Sequence, residues 1–148
     1  MVLTDIDKLP LSGRVTVDSA PIIYLLEDHL EFAPRYEPFF QRAENGEYEL
    51  VISTLTLAEV LAGPLRTGNE ALARSYQSVL SATAGWRVVD LAPGIAYRAA
   101  RIRGSTGLRL PDAVQMATAL ETSSIALVTH DRDFSRLDSS PERVPVYG

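Results

Sequence analysis

Short runs of β-branched and aliphatic residues recur along the chain: VTV at 15–17, LVI at 50–52, VV at 88–89, IALV at 125–128 and VPVY at 144–147. Helical periodicity fills the intervals. Between 69 and 83, Leu72, Tyr76, Val79 and Leu80 form an apolar stripe. The pattern repeats with Ile95, Ala99 and Ile102, and again with Ala113, Ala117 and Leu120. Pro21, Pro93 and Pro111 fall where a first helical turn tolerates proline, because its missing N–H has no intrahelical partner there. Strands that alternate with helices need crossover connections, so the sheet is expected to be mainly parallel and covered on both faces. The fold class is α/β.

A length of 148 residues with 46% apolar content supports one core, and no linker divides the chain. We expect a flexible arm over residues 1–12 and a single domain over 13–148. Residues 34–46, with Tyr36, Phe39 and Phe40, read as an aromatic helix that either packs in the core or lines a partner groove. The net charge of −5 excludes a polybasic protein that holds nucleic acid by bulk charge. With no cysteine there is no disulfide, thiolate zinc site or cysteine nucleophile, which suits a reducing cytoplasm. The N-terminus lacks a signal-type apolar region, and no apolar stretch approaches the roughly 20 residues of a membrane span. No membrane partner is expected.

Five acids occupy related places in this pattern, each with an ordinary alternative. Asp18 ends the first strand, where a helix N-cap is equally natural. Glu59 closes Thr56-Leu57-Ala58-Glu59, which matches a capping box. Asp112 follows Leu110-Pro111 at a helix start, where the macrodipole favours a carboxylate by about 0.3–1 kcal/mol. Asp131 and Asp133 follow the strand at 125–128, and Asp-Arg-Asp also suits a solvated turn. Parallel sheets, however, place ligands beyond the carboxyl ends of their strands, so these acids are expected to share one edge. Carboxylates gathered there repel one another unless protons or a cation offset the charge. Oxygen-only ligands suit Mg²⁺ or Mn²⁺, and metal ions about 3.5–4 Å apart serve phosphodiester hydrolysis.

The ordered set V-D-S at Asp18, T-x-A-E-V-L-A-G at Glu59, L-x-L-P-D-A-V-Q-M-A-T-A-L at Asp112 and L-V-T-H-D-R-D-F at Asp131 and Asp133 resembles the PIN domain family. It is most similar to bacterial VapC-type toxins, from about residue 15 to 147. The resemblance implies an α/β/α sandwich and a Mg²⁺- or Mn²⁺-dependent endoribonuclease. It also implies a homodimer held inactive by a cognate antitoxin. Asp18, Glu59, Asp112 and Asp131 match the family's catalytic, metal-binding acids, with Asp133 as a further metal ligand. Ser19 and Thr129 match supporting hydroxyls, although a helix cap and a strand residue explain them equally well. His130 stands where the family often has asparagine and receives no role.

RNA must approach this acidic edge. Arg98, Arg101, Arg103 and Arg109 form a basic segment without an intervening acid, and they are candidate phosphate contacts or simply a solvated helix face. Rival folds fit less well. A haloacid-dehalogenase-like phosphatase needs Asp-x-Asp where Asp18-Ser19-Ala20 stands, and a receiver domain needs a late lysine where the only lysine is Lys8. The alternatives that remain are an inactive PIN-like module that binds a partner and an RNA-processing PIN nuclease that is not a toxin.

Overall fold

The computed structural model describes residues 3–138 and 140–148. Its strands are β1 (Gly13–Val17), β2 (Tyr48–Ser53), β3 (Trp86–Val89), β4 (Ala126–Val128) and β5 (Val146–Tyr147). Each overlaps one of the apolar runs of the sequence. The helices are α1 (Ser19–Leu26), α2 (Ala33–Glu44), α3 (Thr54–Arg66), α4 (Glu70–Ala82), α5 (Pro93–Thr106) and α6 (Leu110–Glu121). A short 3-10 helix, Arg132–Leu137, links β4 to β5.

All the strand pairings are parallel, in the order β3-β2-β1-β4-β5. The chain therefore builds outward from β1 through β2 to β3, then returns to the other side of β1 with β4. The order reverses between β1 and β4, and at such a switch point the crossovers leave in opposite directions and open a crevice beyond the strand ends. Val15↔Ala126 and Val17↔Val128 fix the register there.

Strand alternation sends side chains to two cores. Val15, Val17, Leu50 and Ile52 meet Ile22, Tyr36, Phe39 and Phe40 on one face. Leu127 and Val146 meet Ile95, Ala99, Ile102 and Phe134 on the other. These layers make an α/β/α sandwich. Tyr36, Phe39 and Phe40 are buried, so the aromatic helix serves the core. Among the described residues no helix is long and apolar enough to cross a membrane.

Two expectations need correction. The α4 stripe is rotated: Leu72 and Val79 are exposed, while Ala73 and Leu80 are buried. The helix packs on α3 and β3 at the edge of the sheet, and its apolar residues outline two adjacent faces between which spacing alone does not choose. Residues 3–12 are not a loose arm. Ile6 and Leu9 enter the first core, and Thr4 forms a parallel bridge to Tyr147. The flanking polar residues conceal two isolated anchors. Residues 1 and 2 of that arm lie outside the described residues.

Because Ile6 and Leu9 fill core space, Ile6→Ala and Leu9→Ala should each destabilise the protein by about 2 kcal/mol. Urea unfolding reads this as a lower midpoint with an unchanged slope. A true arm would leave the midpoint unmoved.

Candidate active site

Beyond the strand ends at the switch point, Asp18, Ser19, Ala20, Glu59, Arg109, Pro111, Asp112 and Asp131 line one cavity of about 240 Å³. Each acid arrives from a different element. Asp18 follows β1 and caps α1, its Oδ1 accepting from the Ser19 N–H at 2.7 Å. Its backbone N–H donates to the Val128 carbonyl at 2.9 Å, so the pairing of β1 with β4 holds it in place. Glu59 stands on α3, Asp112 in the first turn of α6, and Asp131 at the start of the 3-10 helix after β4.

Thr129 ties two of these acids together. Its hydroxyl donates to Asp18 Oδ2 at 2.7 Å and accepts from the Asp131 N–H at 3.1 Å. It is fully buried, so its hydroxyl is needed to satisfy Asp18 rather than merely tolerated in a strand. Asp131 Oδ1 in turn accepts from the Asp133 N–H at 2.9 Å. Asp133 is exposed and does not line the cavity. Ser19 does.

The capping-box reading of Glu59 does not hold. Ser53 caps α3, its hydroxyl accepting from the Leu55 N–H. Thr56 is buried and accepts from Gln115 Nε2 at 2.6 Å. The helix starts earlier than the Thr-x-x-Glu spacing suggests, because Ser53 at the strand end offers a nearer cap. Sequence reasoning misses Gln115 and Thr56 as residues that support the site. Their signal is spacing: each lies three positions from a site acid, and hence on the same helix face.

Charge is unbalanced in the cavity. Asp112 is 4% exposed, and burial, followed by the Asp131 charge, pushes its carboxyl up to about 6. Burial also raises the Asp18 carboxyl, with Asp131 adding repulsion against the Thr129 and Ser19 hydrogen bonds. Glu59 is raised by burial and then by Asp18 and Asp112. The cation present is Arg109, whose Nε reaches Asp112 Oδ2 at 3.3 Å and whose Nη2 reaches Asp131 Oδ2 at 3.2 Å. Its neighbours in the basic segment are engaged elsewhere. Arg98 pairs with Glu121, at the far end of α6 and roughly 13 Å along the axis from Asp112 at about 1.5 Å per residue. Arg101 pairs with Glu142 at 2.6 Å, and Arg103 donates to the Leu108 carbonyl at 3.0 Å. Gly107 ends α5 in the left-handed region at φ 72°, a conformation that glycine adopts without strain, and this turn brings Arg109 to the cavity.

The donor set is all oxygen, which suits a hard divalent cation in kind. Among the described residues no three acid, histidine or cysteine groups converge on a single ion, and Arg109 holds two of the four cavity carboxylates. The arrangement can concentrate negative charge, hold protons above the usual carboxylate range and exchange Arg109 for another cation.

The sign of the pH effect follows from the raised Asp112 carboxyl. In the unfolded chain it ionises near its ordinary value of 3.8, whereas in the fold it does so near 6. Its ionisation therefore lowers stability as pH rises through that window, and the loss persists above it. Asp112→Asn should raise the melting temperature at pH 7 in chelator and lose that advantage below the ordinary carboxylate range. Thermal melts across pH test this.

No curated protein sequence matches the chain. Solved structures do. A toxin–antitoxin complex from Klebsiella pneumoniae is 24% identical with a TM-score of 0.63, covering 90% of this chain and 96% of that one. VapBC2 from Rickettsia felis, bound to a DNA fragment from its promoter, is 14% identical with a TM-score of 0.67 over 91% of this chain and 99% of that one. VapBC-5 from Mycobacterium tuberculosis is 20% identical with a TM-score of 0.58 over 93% and 98%. At these identities the likeness is one of fold. The model of the PIN domain matches residues 15–139, most of the chain, and with the parallel sheet and the acids at its switch point this protein belongs to the PIN domain family.

Proposed function

We propose that this protein is a Mg²⁺- or Mn²⁺-dependent endoribonuclease, the toxin of a VapBC-type pair, acting on RNA in the cytoplasm as a homodimer. The observation that carries the reading is the set of Asp18, Glu59, Asp112 and Asp131 around one cavity, on a PIN domain. Carboxylates that raise one another's proton affinity gain most from a cation.

Asp18, Glu59, Asp112 and Asp131 would hold the metal, with Asp133 as a further acid beside Asp131. When bound, the ion supplies positive charge for phosphodiester hydrolysis by water. The chain's own residues prepare the site for it. Thr129 and the Ser19 N–H fix both oxygens of Asp18, and the Thr129 hydroxyl orients the turn that carries Asp131. Arg109 neutralises Asp112 and Asp131 until a stronger cation replaces it, after which its guanidinium is free to meet a phosphate oxygen. Arg98, Arg101 and Arg103 are weaker candidates for RNA, because their partners lie elsewhere.

The named neighbours are toxin–antitoxin proteins, which supports an antitoxin as the natural partner here. A basic or bulky antitoxin side chain placed over the four acids would take the role Arg109 holds in the free chain.

Purified protein should cleave RNA in Mn²⁺ and stop in chelator. Asp18→Asn and Asp112→Asn should each reduce cleavage by at least roughly 100-fold, since even residues that only orient metal ligands cost about 10–100-fold. Thr129→Val, as an orienting residue, should fall within that lower range. Normal cleavage by Asp112→Asn protein would refute the assignment. Metal binding without cleavage of any RNA by the wild type would leave the chain as a partner-binding PIN module.

A further inference from the structure

An acidic cavity needs cations at its mouth if a polyanion is to approach, and most arginines near it are committed. Arg98, Arg101 and Arg143 pair with carboxylates away from the cavity, and Arg109 pairs with two inside it. Among the described residues, exposed Arg35 and Arg132 make no ion pair with an acidic side chain, and Arg35 donates one hydrogen bond to the main-chain oxygen of Gly148, the last residue of the sequence. Both flank His130, and with Leu3 and Gly148 the three residues line a small cavity of about 40 Å³. His130 is followed directly by Asp131, so consecutive residues face this small cavity and the carboxylate cavity.

His130 is held in place. The Tyr36 hydroxyl is 2.7 Å from its Nδ1, and its ring lies 4.5 Å from Phe32 and edge-on to Tyr24 at 5.3 Å. With Nδ1 engaged by Tyr36, Nε2 has no protein partner among the described residues. Phe32 also stacks on His29 at 5.0 Å and 20°, and both rings are half-buried. Guanidinium groups suit phosphate oxygens. Partly exposed aromatic rings suit a nucleobase. An acidic peptide would satisfy the arginines but not the rings, whereas a single-stranded nucleic acid satisfies both.

We propose that Arg35, His130 and Arg132 hold a backbone phosphate flanking the scissile one, and that Phe32 and His29 receive a base of the same strand. This subsite rests on the nuclease reading. It accounts for how a chain of net charge −5 holds RNA.

The test uses the full chain and a fluorescein-labelled single-stranded RNA of mixed sequence, in calcium, with anisotropy followed across a salt titration. Arg35→Gln/Arg132→Gln protein should bind more weakly, alike for different sequences. Its log affinity should fall less steeply with log salt, by about 0.7 for each phosphate that is no longer neutralised. Arg132→Gln alone, which breaks no side-chain hydrogen bond among the described residues, should show about half that change. Arg74→Gln, an exposed α4 residue paired with Glu70, should leave the slope unchanged. Phe32→Leu should weaken the intact strand by about fivefold or more and leave an abasic strand of the same length unaffected. Wild-type binding with an unchanged slope in both Arg132 variants would overturn the subsite while the nuclease reading stands. Loss of a copurified protein partner in those variants, with RNA binding intact, would also overturn it and assign the surface to protein. Absence of RNA binding by the wild type would defeat the nuclease reading, and the subsite with it.

Discussion

The hydrogen bond from Thr129 to Asp18 joins residues 111 positions apart in the chain, across the one place where the sheet reverses its order. It forms only when β4 has inserted beside β1, which requires the α1–α4 crossovers on one side and α5 and α6 on the other. Parallel neighbours cannot be joined by a tight turn, so every strand of this sheet carries the cost of a long connection. The benefit is a crevice with a different helix or turn opening onto it from each side. Asp18, Glu59, Asp112 and Asp131 come from separate elements, and no local segment can assemble them.

That convergence is unfavourable for folding. Three of the four acids are pushed above their ordinary proton affinity, with burial the first cause in each. The compensations are local and incomplete. Asp18 is hydrogen-bonded through both oxygens. Asp112 and Asp131 share Arg109, but that guanidinium is largely solvent-exposed, and ion pairs in such settings are screened and weak. Sites that retain strain of this kind generally trade stability for function. The residual repulsion favours any ligand that brings concentrated positive charge, and it restricts what else the cavity can hold.

Legibility follows the strength of each local signal. The five strands are readable because short β-branched and aliphatic runs stand apart from the helical stripes between them, and α5 is readable because Ile95, Ala99 and Ile102 define one stripe. The family motifs locate the acids that share the cavity. What escapes depends on tertiary context. Thr56 fits a capping box perfectly well as a string, but Ser53 reaches the helix start first and frees Thr56 for Gln115. The basic segment is coherent in sequence, yet a helix distributes positions 98, 101 and 103, and acids from α6 and the C-terminal segment claim two of them. Ile6 and Leu9 lie among polar residues, and nothing in their neighbourhood declares that two side chains suffice to anchor the segment. In sequence His130 is a lone histidine. Only the fold reveals around it Tyr36, Phe32 and two arginines that, among the described residues, pair with no acidic side chain.

The bond between Gln115 and Thr56 connects these themes. It is buried, and it joins α6 to α3 one turn from Asp112 and Glu59 respectively. Gln115 Oε1 is also buried and has no partner among the described residues. An apolar pair of similar volume would remove that unsatisfied oxygen, whose burial costs on the order of 1–3 kcal/mol. Apolar contacts are non-directional, however, and let two helices slide or rotate by small amounts at little cost. A short hydrogen bond does not. With Asp112 and Glu59 each three residues from its ends, the bond converts helix packing into a fixed relation between two carboxylates that repel each other. The polar pair is therefore best understood through the site above it: a core optimised for stability alone would have no need for it.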